Sequence, residues 1–171
     1  MWPFGKSGTP FRGAIMRKSQ ALARKGKLDE AAELLKPFCD EHPDDYAAHL
    51  NLGAIYYSDG KHTPAIEQFE LALEVKPDSP TAWLNIGATR NALGHVDEAI
   101  EALQKALQLD ERHRDVHYNL AIAQQKNGRP LAAMAELEME IALHPDHKQA
   151  RALVATLRAV LLAQQDTEKQ P

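Results

Sequence analysis

A period of 34 residues, kept without insertion or deletion, constrains this chain more than any other feature. In the copy from Tyr46 to Ser79, Gly60, Ala65 and Phe69 are spaced so that Gly26, Gly94 and Gly128 repeat the first place. Ala31, Ala99 and Ala133 repeat the second, and Leu35, Leu103 and Leu137 the third. A chain built this way stacks one small unit on the next, because no single unit buries its own apolar face.

Within that copy, Leu50, Ala54 and Tyr57 mark one helix face and His49, Leu52, Gly53 and Tyr56 the adjoining one, at three- and four-residue spacing. Gly60 should close this first helix, since glycine adopts the left-handed backbone that ends helices readily. Pro64 suits the first turn of a second helix, where its missing N–H is not needed. That helix presents Ala65, Phe69, Ala72 and Leu73 and should end before Pro77. Each unit is therefore a helix, a tight turn and an antiparallel helix. Scarce aromatics, at 6% of the chain, and abundant Ala, Leu, Glu and Lys agree with helix over strand.

The spacing of His49, Leu52, Gly53, Tyr56, Ala65, Phe69, Ala72 and Pro77 resembles the tetratricopeptide repeat (TPR), and Trp83 supplies that family's tryptophan in the third copy. The resemblance implies an all-α, right-handed α-solenoid of four helix-turn-helix units plus a C-terminal capping helix. The units are expected at 12–45, 46–79, 80–113 and 114–147, with a capping helix at 148–165. They are flanked by a basic and aromatic arm at 1–11 and a polar tail at 166–171. Lys18, Ser19 and Phe38 in the first copy and Glu140 in the fourth depart from the pattern. So do Arg90, Gln124 and Glu111. For Glu140, a charge at a packed place, pairing with Arg151 or Arg158 is expected, because an unpaired buried charge is costly.

The functional reading rests on one column. Asn51, Asn85 and Asn119 stand at the same place in three consecutive copies, and an Asn amide can bond both the C=O and the N–H of a foreign backbone. Similarity to related repeats implies that such a row holds an extended peptide along the first helices. The same residues are also simply common at this place in the family. Beside the row, Leu50, Ala54, Tyr57, Leu84, Ala88, Asn91, Tyr118, Ile122 and Gln125 are expected on the inner faces, serving either a ligand or the packing of the stack. Arg17 and Arg24 add positive charge at one end. The chaperone-carboxylate clamp of some relatives needs Lys and Arg. The matching places hold Met16, Gln20, Asn51, Thr81 and Asn85, or Leu50, Ala54, Asn85, Asp115 and Asn119, so that role is not expected.

Other classes are disfavoured. Residues 1–28 carry seven Lys or Arg and no acid, leaving 13 basic against 24 acidic residues beyond, so most of the surface would repel phosphates and no nucleic-acid partner is expected. Trp2, Phe4 and Phe11 with Lys6, Arg12, Arg17 and Lys18 could touch an anionic membrane, or form a solvated start. The pairs His113/His117 and His144/His147 have no Cys and no recognised ligand set beside them, so neither a metal nor a cofactor is expected. No phosphate loop, nucleophile motif or paired carboxylates suggest an enzyme. Lone Cys39 reads as a small apolar residue, and with no secretory pattern read at the start the expected location is the cytoplasm. The expected function is a non-catalytic adaptor for a protein or peptide partner, with self-association as a structural scaffold through the solenoid ends or groove as the alternative.

Overall fold

The structure is a computed structural model that describes the backbone of residues 9–168 and the side chains of residues 11–163. The expectations for Trp2, Phe4 and Lys6, and with them most of the basic arm, lie outside the described residues. Among the described residues there is no strand. The chain divides into two compact units, residues 1–85 and 86–171.

The first unit holds α1 (Thr9–Arg24), α2 (Leu28–Glu41), α3 (Tyr46–Ser58), α4 (His62–Val75) and the start of α5 (Pro80–Leu93). Helix α1 packs on α2, α2 on α3 and α3 on α4. Its core joins Leu35, Phe38 and Cys39 of α2 to Leu52 and Ile55 of α3, with Ile15, Met16 and Leu22 of α1 against it. Thr9 and Phe11 already belong to α1, so the helix begins inside the stretch read as an arm.

The second unit holds the rest of α5 and then α6 (Val96–Leu109), α7 (Val116–Lys126), α8 (Pro130–Leu143) and α9 (Lys148–Glu168). Here α6 packs on α7, α7 on α8 and α8 on α9. Ala121, Leu137, Val154 and Leu157 form its core, flanked by Tyr118 and Met134.

Four helix ends share one device. Gly26, Gly60, Gly94 and Gly128 have φ between 70° and 83°, a conformation that only glycine takes without strain. At Gly60 the turn brings Gly60 N–H to Tyr57 O (3.0 Å) and Lys61 N–H to Tyr56 O (2.9 Å), so two end carbonyls that a helix would otherwise leave unpaired are satisfied. The same pair of bonds closes α1, α5 and α7. The second helix follows at once, antiparallel to the first.

A second device starts the helices. Asp45 accepts from Ala48 N–H, Ser79 Oγ from Ala82 N–H and His147 Nδ1 from Ala150 N–H, each capping the helix that follows. Every one of these capping residues is also held by a residue 32 or 33 places earlier: Asp45 by Arg12, Ser79 by Tyr46, His147 by Asp115.

Candidate functional site

The Asn column sits on the first helices of the pairs. Asn51 is half-buried on α3; its Nδ2 donates to Ala47 O (2.7 Å), and its Oδ1 accepts from Gln20 Nε2 of α1 (2.9 Å). Asn119 is likewise half-buried on α7, and its Nδ2 donates to Asp115 O (2.9 Å). Both side chains therefore bond back to the carbonyl four residues earlier, which fixes their rotamers. An amide has two N–H donors, so each keeps one beyond that bond. Asn85 is half-buried on α5. Gln20, from the copy where Arg17 interrupts the column, was not expected to touch Asn51. Only the packing of α1 on α3 brings it there.

The residues expected beside the column divide by exposure. Tyr57 and Gln125 are exposed, Leu50, Tyr118 and Ile122 half-buried, and Arg17 and Arg24 exposed along α1. Leu84 and Asn91 differ: they are 8% and 3% exposed. Leu84 serves packing. Asn91 Nδ2 donates to Asn119 O (3.0 Å), tying α5 to α7 within the second unit, and its backbone carbonyl accepts from Lys126 Nζ. Asn91 thus supports the neighbour of the column's last member rather than offering itself to a ligand.

The histidines at the family's tryptophan place are structural. His49 is 3% exposed and donates from Nδ1 to Gln68 Oε1 (2.9 Å). His117, two copies on, makes the matching bond to Glu136 Oε2 (2.7 Å). That hydrogen bond to Glu136 raises the His117 pKa above the ordinary imidazole value, with burial opposing it.

At the start of α7 the repeat is broken. The helix begins at Val116, two residues later than its counterpart α3, and Asp115 takes φ 71°. Glu140 explains the break. It occupies a place held by alanine in the second and third copies, is 0% exposed, and accepts from Asp115 N–H through Oε1 (3.1 Å). The expected pairing of Glu140 with Arg151 or Arg158 is therefore wrong: both arginines are exposed, and Arg158 lies 3.7 Å from Glu138 instead. The buried carboxylate took its partner from the backbone of the unwound turn before α7, which faces it. His147 completes the group, donating from Nε2 to Asp115 Oδ1 (2.7 Å), with Glu140 Oε1 3.7 Å from the same nitrogen. In the sequence His147 stands out only beside His144. The fold adds two carboxylates to His147, and their ligand atoms all lie within 4.8 Å of one another.

No helix among the described residues is long and apolar enough to cross a membrane. Paired helices closed by left-handed glycines over small-residue contacts, in an all-α solenoid, define a tetratricopeptide repeat protein. The chain belongs to the family described as the Cilia and flagella-associated protein 70 C-terminal domain, whose model matches residues 6–167. A curated relative, cellulose synthase 2 operon protein C of Komagataeibacter xylinus, is 35% identical over 63 residues, which is 37% of this chain. The chain spans 5% of that relative's length. Among solved structures, the thermophilic TPR protein TTC0263 of Thermus thermophilus is similar at a TM-score of 0.77 and 21% identity, over 87% of this chain and 82% of that one. The first TPR of Spaghetti (RPAP3), bound to the HSP90 peptide SRMEEVD, is similar at 0.66 and 17% identity, over 68% of this chain and 95% of that one.

Proposed function

We propose that this protein is a non-catalytic, cytoplasmic protein-interaction adaptor that holds an extended segment of a partner against the first helices of its repeats. The observation that carries the reading is the anchored Asn column. Asn51 and Asn119 are each pinned to the carbonyl four residues earlier, so the remaining N–H of each points in a set direction before any ligand arrives. Such preorganisation reduces the ordering cost of binding. The bound Spaghetti relative gives the reading a precedent in the fold, and its peptide is rich in acids. Here the places that would need Lys or Arg for such a peptide hold Met16, Gln20 and Thr81. The segment we expect is largely apolar, presented to Leu50 and Tyr57 in the first unit and to Tyr118, Ile122 and Gln125 in the second, with an acid met by Arg17 or Arg24.

A pull-down with the native chain against the Asn51/Asn85/Asn119→Ala variant tests this, reading which proteins are lost. Each single Asn→Ala change is expected to cost about 1–3 kcal/mol of binding where its contacts are desolvated. Undiminished binding by all three overturns the reading. Self-assembly is favoured by a separate observation: Leu131, Met139, Val160 and Leu162 on α8 and α9 are 72%, 51%, 48% and 56% exposed. Light scattering over a concentration series separates the two, since an adaptor alone stays monomeric.

A further inference from the structure

Two departures from the repeat, Asp115 and Glu140, meet the capping residue His147 at one point. Asp115 stands where the other copies have Gly13, Ala47 and Thr81; Glu140 where they have Phe38, Ala72 and Ala106; His147 where they have Asp45, Ser79 and His113. They come from α8 and from the turns that open α7 and α9, and they converge.

The group is short of positive charge. Ala150 N–H donates to His147 Nδ1 (3.2 Å), so Nδ1 accepts and the ring's proton sits on Nε2, facing the two carboxylates. That single N–H goes to Asp115 Oδ1. Glu140 Oε1 has the Asp115 amide, but Glu140 Oε2 is buried without any hydrogen-bond partner. A carboxylate at 0% exposure with an orphaned oxygen is expensive unless a cation compensates it.

We propose that Asp115, Glu140 and His147 bind a divalent transition-metal ion of the zinc or manganese class. The spacing suits one. An ion about 2.0–2.2 Å from each donor sets donors roughly 3–3.5 Å apart at tetrahedral or octahedral angles. The observed separations from His147 Nε2 are 2.7 Å to Asp115 and 3.7 Å to Glu140, either side of that span, and all three donors lie within 4.8 Å of one another. Two carboxylates and an imidazole make a hard-to-borderline set without thiolate, suited to zinc or manganese rather than to copper(I). Three protein donors leave a position for water.

Binding has a defined chemical consequence. The ion takes the Nε2 lone pair, and the ring proton moves from Nε2 to Nδ1, so the ring stays neutral and releases no net proton. Nδ1 then no longer accepts from Ala150. The ion thus replaces a helix cap by a bond that joins α7, α8 and the start of α9. The Tyr118 ring, 4.9 Å from the His147 ring, covers the site on one side.

The test uses the full chain, stripped with a chelator and titrated calorimetrically with zinc chloride and with manganese chloride near neutral pH. The expected result is one ion per chain, bound at least ten-fold more weakly by Glu140→Gln and by His147→Gln. His144→Gln, outside the group, should bind as the native chain does. Should Glu140→Gln fail to fold, Asp115→Asn replaces it, because it leaves the buried carboxylate in place. Independently, ring nitrogen resonances of His147 in the native chain should show Nε2 losing its proton to Nδ1 on titration. Absence of saturable binding, native-like affinity in the glutamate and histidine variants, or unmoved His147 resonances would each overturn the assignment.

Discussion

Phe69 lies so close to Gly53 that a Cβ placed on the glycine would stand 2.5 Å from the ring's Cε1. Helix α4 approaches α3 through the space of the missing side chain, and Phe69 fills it at 1% exposure. In the second unit Leu103 uses Gly87 in the same way, with the Ala99 carbonyl 3.2 Å from the position such a Cβ would take.

Gly53→Ala should therefore destabilise the protein by about 1–3 kcal/mol, since one added methyl in a filled core forces neighbours to move. Gly87→Ala should cost at least as much, because the nearby backbone carbonyl yields less than a ring edge. Chemical denaturation of both variants checks this, and a loss under about 0.5 kcal/mol at both places, the range of an ordinary surface substitution, would contradict the packing described.

Asp45 caps α3 and is gripped by both sides of the Arg12 guanidinium. The Arg12 bond holds its carboxyl below the ordinary range despite partial burial. A lowered carboxyl contributes stability above its unfolded value, near 3.9, and loses it as pH falls through the folded value. Asp45→Ala should cost about 1 kcal/mol at pH 7 from the cap alone. The difference in melting temperature between the native chain and the variant should shrink as pH falls through the lowered carboxyl value.

His117 gives the opposite pH sign. Its pKa is raised, chiefly by Glu136, so its contribution is full below the unfolded imidazole value near 6.5 and disappears as pH rises through the folded value. Glu136→Gln reproduces the uncharged partner that His49 has in Gln68. The difference in melting temperature between the native chain and this variant should be larger at pH 5.5 than at pH 8.5; an unchanged difference would show that the pair is not charge-assisted.

Cys39 is 2% exposed, and burial pushes its thiol up to about 12. A neutral, enclosed thiol is not a nucleophile at physiological pH. An aromatic disulfide reagent at pH 8 should react with native protein only as fast as the first unit opens, and immediately in denaturant. Fast labelling of the native chain would mean that the α2 core is looser than described.

The period in the sequence carried the helix pairs because each repeated place has a local reason: glycine at the left-handed closure, alanine or glycine at the close approach, a large residue beside it. Those reasons hold copy by copy, so Gly60 and Gly128 could be read without knowing what lay between them. The Asn51–Gln20 bond was not legible, because it depends on how α1 meets α3. Glu140 failed for a related reason. The final helix offered Arg151 and Arg158 as partners, but the turn before α7 unwound by two residues and supplied an amide instead. The same unwinding turned Asp115 towards His147, and no linear spacing announces a cluster assembled by a local break in the repeat.

The caps at Asp45, Ser79 and His147, each held by a residue 32 or 33 places earlier, make the start of one helix conditional on its predecessor. In energetic terms each of these caps acts as a nearest-neighbour coupling, and α7, whose N-cap Asp115 makes no side-chain cap bond, interrupts the series. Loss of α1 would then strike α3 twice, freeing its cap Asp45 and uncovering the core that Ile15, Met16 and Leu22 pack against.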